Sequence, residues 1–475
     1  MTKWIPHNYQ VEALSFLLSN PKSGLFLDPG LGKTSTSLSA IRILKMTGQI
    51  KGVLLIAPLR VIYDVWPPEI EKWSNFNSLT HTILHGKGKK TLFGPKKDIY
   101  LINPEGLPWL LSQLYEAVTK EKYIPFNALW IDESTKFKSP KAKTRFKTIE
   151  TMLSLFKRVH IMTGTPAARS YLDLWSQIFI LDQGKALTPS YYKFRNKYFM
   201  TAAYNKFNWL PKKGSLESIK NLISPMILDM SEQDHLKMPP VIYNNITITL
   251  PEKAMKTYKD MEQDLFSILD DGEVSAKAAA QSTMKCHQIS NGMLYADIPE
   301  DLSESDYKAF MKTRDIFLIH KAKIEALKDL IEELNGKPVL IAYHYKHDLS
   351  SIRAAIGKDT PYIGSGVSSA KSTQIKDDWN AGKIPVLLGQ PQSMAHGLNL
   401  QAGGNDICWY SLTWNLEDYI QFNKRVARQG VKGEVRIHHL VASGTIDLAM
   451  LGRLGERAKN QQDLREAIKQ YRRAM

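Results

Sequence analysis

Five short apolar runs punctuate the first half of the chain: "GLFL" ahead of Asp28, "VLLIAP" at Val53–Pro58, "IYLIN" at Ile99–Asn103, "ALWIDES" at Ala128–Ser134 and "RVHIMTGTP" at Arg158–Pro166. Helix-like stretches such as "TSTSLSAIRILKMTG" lie between them. The runs are largely apolar and do not alternate, so both faces of each strand are expected to be buried. That is the pattern of a parallel sheet covered by helices. Similar runs return late in the chain: "PVLIAYHY" at Pro338–Tyr345, "PVLLGQ" at Pro385–Gln390, "DICWYS" at Asp406–Ser411 and "VRIHHLV" at Val435–Val441.

A chain of 475 residues is long for one core. The expectation is an α/β protein of two lobes, 1–237 and 238–475. From about Ser170 to His320 the pattern reads as helices and polar connections. A helical protrusion is expected after about 170. A linker at Pro239-Pro240, a short extended stretch at Val241–Pro251 and a helical insertion are expected over about 238–320.

No apolar run approaches the ~20 residues of a membrane helix, and the N-terminus lacks the apolar core of a signal peptide. No membrane association and a cytoplasmic location are expected. Cys286 and Cys408 stand alone, which argues against a disulfide framework or a zinc site. The formal net charge is +16. Such a surface attracts polyanions before any specific contact forms, so the motifs must decide whether nucleic acid is the partner.

"GLFLDPGLGKTSTSL" at Gly24–Leu38 contains Gly30, Gly32, Lys33 and Thr34, the core of a phosphate-binding loop. Glycines let backbone N–H groups approach phosphate oxygens, and the following helix adds its N-terminal positive charge. Lys33 reaches the β- and γ-phosphates, and the Thr34 hydroxyl can ligate Mg²⁺. Leu27 stands where G-x-x-x-x-G-K-[ST] begins with glycine. Asp132 and Glu133, ending a buried-type run, suit the remaining roles: Asp132 to hold Mg²⁺ through water, Glu133 to activate the attacking water.

G-x-G-K-T, then Asp132-Glu133, then "TGTP" at Thr163–Pro166 resemble, in that order, the motor ATPases of helicase superfamily 2. The resemblance implies two RecA-like lobes, with ATP as the nucleotide and Gln10 in "PHNYQVEAL" reading the adenine edge. "SMAHGLNLQ" at Ser393–Gln401 and "QFNKRVARQG" at Gln421–Gly430 resemble the family's second-lobe motifs. They imply Gln421 at the nucleotide, and Arg425 with Arg428 at the phosphates, Arg428 being the arginine finger. Two arginines three residues apart are expected on one helix face.

"DESTKFKSPKAKTRFK", "LDLWSQIFILDQG", "WYSLTWNLEDYIQ" and "GTID" at Gly444–Asp447 resemble the SWI/SNF-type branch. Thr135 departs from the branch's usual histidine and Leu416 from its proline. A stand-alone motor of this size resembles phage and bacterial forms, which would place it in a bacterial host cytoplasm.

Nucleic-acid contacts implied by the resemblance are Arg60 in "APLRV", Asn103 in "INPEGL", and His396 and Gly397 in "SMAHGLN". Most would be phosphate contacts, which position without reading sequence. "YYKFRNKYF" at Tyr191–Phe199 mixes aromatics with bases. It reads either as a helix face packed on the core or as a surface that stacks on a base or wedges a duplex. The implied function is an ATP-dependent DNA translocase or helicase acting on duplex or branched DNA. An ATP-gated DNA clamp with little turnover is the alternative. An RNA helicase is disfavoured, because the D-E-A-D form is absent.

Overall fold

The computed structural model describes residues 2–120, 123–167, 170–202, 205–270, 276–299, 303–394 and 398–473. The chain divides into two compact units: Met1–Lys237 together with Arg457–Met475, and Met238–Glu456.

Among the described residues, the first unit holds nine strands: β1 (Lys22–Leu27), β2 (Val53–Ile56), β3 (His81–Ile83), β4 (Ile99–Ile102), β5 (Ala128–Asp132), β6 (Arg158–Thr163), β7 (Phe199–Ala202), β8 (Asn205–Pro211) and β9 (Ile227–Met230). Seven form one sheet in the order β3-β4-β2-β5-β6-β1-β9, and every pairing in it is parallel. β7 and β8 form a separate antiparallel hairpin.

The non-alternating runs have a direct explanation in the two cores. Leu54 and Ile56 of β2 enter one apolar cluster with Phe26, Ile102 and Ile131. Val53 and Leu55 enter another with Leu25, Leu101 and Trp130. Each strand thus supplies apolar side chains to both faces, which the flanking helices cover.

The second unit holds β10 (Val241–Ile248), β11 (Met293–Tyr295), β12 (Ile316–Leu318), β13 (Val339–Ala342), β14 (Tyr362–Ile363), β15 (Val386–Gly389), β16 (Asp406–Trp409) and β17 (Val435–Ala442). Its six-stranded sheet runs β10-β17-β16-β13-β15-β14, again with all pairs parallel. Leu340, Ile407 and Trp409 pack on one face. Ile341, Cys408 and Tyr410 pack on the other. Both cysteines are buried and free.

The stretch after Ser170 is less purely helical than its sequence suggests. "ILDM" forms β9, an edge strand of the main sheet beside β1. "YYKFRNKYF" is a helix over Tyr191–Tyr198 that runs straight into the β7–β8 hairpin. Among the described residues, no helix is long and apolar enough to cross a membrane.

Candidate active site

Parallel α/β sheets gather chemistry at the C-terminal ends of their strands. Here β5, β6 and β1 are adjacent, with Asp132 in register with Met162, and Phe26 with Thr163. The phosphate-type loop, Asp132-Glu133 and "TGTP" therefore leave the sheet side by side.

β1 ends at Leu27, and α1 (Asn8–Ser19) and α2 (Lys33–Met46) flank the loop. The Leu27 side chain is fully buried and its carbonyl accepts a 2.7 Å hydrogen bond from Lys33 Nζ. Leucine at this position thus completes the core while its backbone serves the loop. Asp28 O accepts a second bond from Lys33 at 3.3 Å. The Asp28 carboxylate accepts the Glu232 N–H at 3.1 Å, tying the loop entry to the chain just after β9.

Gly30 and Gly32 have φ of 99° and 72°, a region that L side chains avoid. A Cβ on Gly32 would also overlap the Gln10 amide nitrogen. Gln10 is only 5% exposed. Its Nε2 donates to Leu31 O at 3.3 Å and its Oε1 accepts the His7 N–H at 2.9 Å. As an isolated residue in sequence Gln10 reads as surface; in the fold it braces the phosphate-type loop. Thr34 is half-buried in the first turn of α2.

Asp132 is the last residue of β5 and its Oδ2 accepts a 3.0 Å bond from Trp66 Nε1. Burial pushes the Asp132 carboxyl above its ordinary value, against the pull of the Lys33 charge and the Trp66 bond. A half-buried carboxyl within reach of the Lys33 charge, beside a hydroxyl-bearing helix start, fits a divalent cation bound with phosphate. The fit rests on these donors.

Glu133 adopts φ 65°, unusual for a residue with a Cβ. Its Oε1 accepts hydroxyl bonds from Thr163 at 2.7 Å and Thr135 at 2.9 Å. Thr135 therefore engages the acidic motif directly in place of histidine. A Cβ on Gly164 would meet Pro29 Cδ at 3.1 Å, so the "TGTP" turn packs on the loop entry. Gln177, fully buried, accepts from the Ser134 hydroxyl at 2.7 Å and donates to Pro166 O at 2.8 Å. It joins the acidic motif to the "TGTP" turn.

In the second unit, the helix Leu416–Asn423 stops before either arginine. Arg425 and Arg428 lie in the turns beyond it, so the expected shared helix face is corrected. Arg425, 8% exposed, donates to Gln421 O at 3.1 Å and to Leu398 O at 2.9 Å. Burial, and then the Arg428 charge, pull its guanidinium down to about 9. Burial also lowers that of half-buried Arg428, which donates to Asn399 Oδ1. Leu400 N–H donates to Arg425 O at 3.0 Å. The "LNLQ" segment and the arginine segment are thus one hydrogen-bonded unit that crowds two cations, an arrangement suited to an anion. Gln421 is buried and its Oε1 has no hydrogen-bond partner.

Arg60 is half-buried in the helix Leu59–Asp64, its Nε 3.6 Å from Asp64. Asn103 is largely buried and donates to Glu105 at 2.9 Å, and Glu105 in turn meets Arg145 at 2.8 Å. His396 and Gly397 lie outside the described residues. Trp66 and Gln177 are the polar supports that sequence reasoning missed. Both act through space: no local motif marks Trp66, and Gln177 lies within "LDLWSQIFILDQG" without a role readable from that segment.

Residues 9–295, more than half of the chain, match the family described as "SNF2-related domain". The chain belongs to this family. Residues 322–430 match the helicase conserved C-terminal domain. This SNF2-related chain is accordingly a nucleic-acid-dependent ATPase, and its family binds ATP. It is 32% identical to protein p41 of the Acyrthosiphon pisum secondary endosymbiont phage 1, over 99% of this chain and all of that one. It is 24% identical to the DNA annealing helicase and endonuclease ZRANB3 of Bos taurus, over 95% of this chain and 40% of that protein's length. The SWI2/SNF2 ATPase core of Sulfolobus solfataricus, solved in complex with dsDNA, superposes with a TM-score of 0.44 at 22% identity, covering 98% of this chain and 97% of that one.

Proposed function

We propose that this SNF2-related ATPase is a DNA motor that couples ATP hydrolysis to movement along duplex or branched DNA without reading its sequence. The observation that carries the reading is the convergence of Lys33, Asp132, Glu133 and Thr163 at the ends of three neighbouring strands. In this reading Gln10 positions the loop for the adenine-bearing nucleotide. The Gly30–Gly32 backbone and Lys33 hold the phosphates, Thr34 and Asp132 hold Mg²⁺, and Glu133 takes the proton of the attacking water. Mg²⁺, when bound, neutralises phosphate charge. Arg425 and Arg428, with Gln421 beside them, bring positive charge to the transferring phosphoryl group. The +16 net charge supports a polyanionic track, which Arg60, Asn103 and the 396–397 segment help to grip through its phosphates.

The test is displacement of a third DNA strand from a triplex by the protein with ATP. A motor strips the strand at a rate that follows ATP turnover. ATP-dependent retention on DNA without displacement would instead make it a nucleotide-gated clamp.

A further inference from the structure

The stretch from Gln183 to Leu216 contains no Asp or Glu, yet it carries seven Lys or Arg and eight Phe, Tyr or Trp residues. At the chain's own acidic content, 47 in 475, such a stretch would hold roughly three acids. Acids are excluded from one contiguous piece of the fold, the helix Tyr191–Tyr198 and the β7–β8 hairpin that follows it.

One side of this piece is structural. Phe194, Tyr198 and Phe199 are buried in the first unit's core. The other side is open. Tyr192 is 52% exposed, with Lys193, Asn196 and Lys197 exposed around it. On the hairpin Met200 stands opposite Leu210, and these two are 54% and 44% exposed. Lys212 and Lys213 follow directly and are also exposed.

The open side is held rigidly. The Arg195 guanidinium lies 3.9 Å from the Trp209 ring centre and 5.3 Å from that of Tyr192, so one cation keys helix to hairpin. Lys212 Nζ donates to Asn196 O at 2.6 Å, a second tie between them. The hairpin's exposed apolar pair and the helix's exposed tyrosine ring are thus carried on one tied unit that is rich in positive charge.

We propose that these exposed side chains, Met200 and Leu210 on the hairpin and Tyr192 on the helix, contact bases where a DNA duplex opens into single strands. The proposal rests on the reading of the chain as a DNA motor and names the part of the substrate it engages. An intact duplex turns phosphates outward, and the lysines alone would suffice to hold it. Apolar and aromatic side chains gain only against base faces, which become available at unpaired or splayed positions. The acid-free, lysine-rich stretch fits a polyanion.

The test is fluorescence anisotropy of the full chain with three labelled DNAs of equal length: blunt duplex, fork and single strand. The proteins are the parent, Met200→Ser/Leu210→Ser, and Tyr192→Ala. All three side chains are solvent-exposed, and a thermal melt verifies that each variant folds. The expected result is a Kd for forked DNA raised about tenfold in each variant, with blunt-duplex Kd changed less than about twofold. Equal weakening on all three DNAs, or no weakening on the fork, would overturn the junction contact while leaving the motor reading intact. A parent protein that binds none of the DNAs would overturn the motor reading itself.

Discussion

The Thr163 hydroxyl donates to Glu133 Oε1 at 2.7 Å, so the "TGTP" turn after β6 holds the acid that ends the neighbouring motif. The same oxygen takes the Thr135 hydroxyl at 2.9 Å. Thr163 Oγ1 also accepts the Thr165 N–H at 3.1 Å, which orients it. Two hydroxyls thus fix one carboxylate oxygen. A general base contributes about 10²–10⁴-fold to turnover. Glu133→Gln is expected to lower kcat by that order with little change in the KM for ATP. Thr163→Val removes the positioning bond along with the one from Thr165 N–H, leaves the Glu133 carboxylate in place, and is expected to lower kcat about tenfold. Steady-state ATPase assays of the two variants check the split.

Trp66 touches Asp132 through its indole N–H. That bond stabilises the ionised carboxylate and opposes the upward push of burial. Trp66→Phe keeps most of the packing and removes the bond. Asp132 then becomes harder to ionise, and the acid limb of the ATPase pH profile is expected to move to higher pH. An unshifted limb would mean that Asp132 ionisation does not govern turnover.

Gly32 combines a φ of 72° with the close approach of Gln10. Gly32→Ala must strain the backbone and displace Gln10 together. The expected result is a loss of ATP binding and a melting temperature lowered by the equivalent of about 1–3 kcal/mol. Titration with a fluorescent ATP analogue, alongside a thermal melt, measures both.

In the second unit Lys323 Nζ lies 2.6 Å from Asp447 Oδ2, both side chains at zero exposure. Asn291 Oδ1 accepts from Lys323 at 2.8 Å, and Asp447 accepts the Ser290 hydroxyl at 2.9 Å and the Ala442 N–H at 3.0 Å. Burial raises the Asp447 carboxyl, but the Lys323 charge and these bonds outweigh it and hold the group below its ordinary value. A depressed carboxyl contributes stability that is fully present above its unfolded value, about 3.9. That stability is lost as pH falls through the lower, folded value. Asp447→Asn or Lys323→Met is expected to cost about 3–5 kcal/mol. The melting temperature of the parent should fall more steeply below pH 4 than that of Asp447→Asn.

Much of the fold was legible because strands buried on both faces leave unbroken apolar runs. β2, β4, β5 and β6 fall within the quoted segments for that reason. β3 has only half-buried residues in "HTI", and β14 spans two residues, so neither forms such a run. β9 escaped because Asp229 interrupts its apolar run. It is recognisable as a strand only through β1 beside it. That Lys33, Asp132 and Glu133 follow neighbouring strand ends was readable because each sits just after, or at the end of, an apolar run. Trp66 and Gln177 were not, since each reaches its partner across the fold. The arginine pair was read on a helix that ends at Asn423, before either residue.

The most direct measurement is the steady-state ATPase rate with no nucleic acid, single-stranded DNA, duplex DNA, forked DNA and RNA, run beside Lys33→Ala and Arg428→Ala. The expected result is strong stimulation by duplex and forked DNA, little by RNA, and loss of turnover in both variants. Equal, negligible rates in every condition would contradict the motor. Stimulation by RNA alone would contradict the DNA track, and full turnover in Arg428→Ala would contradict its place at the phosphates.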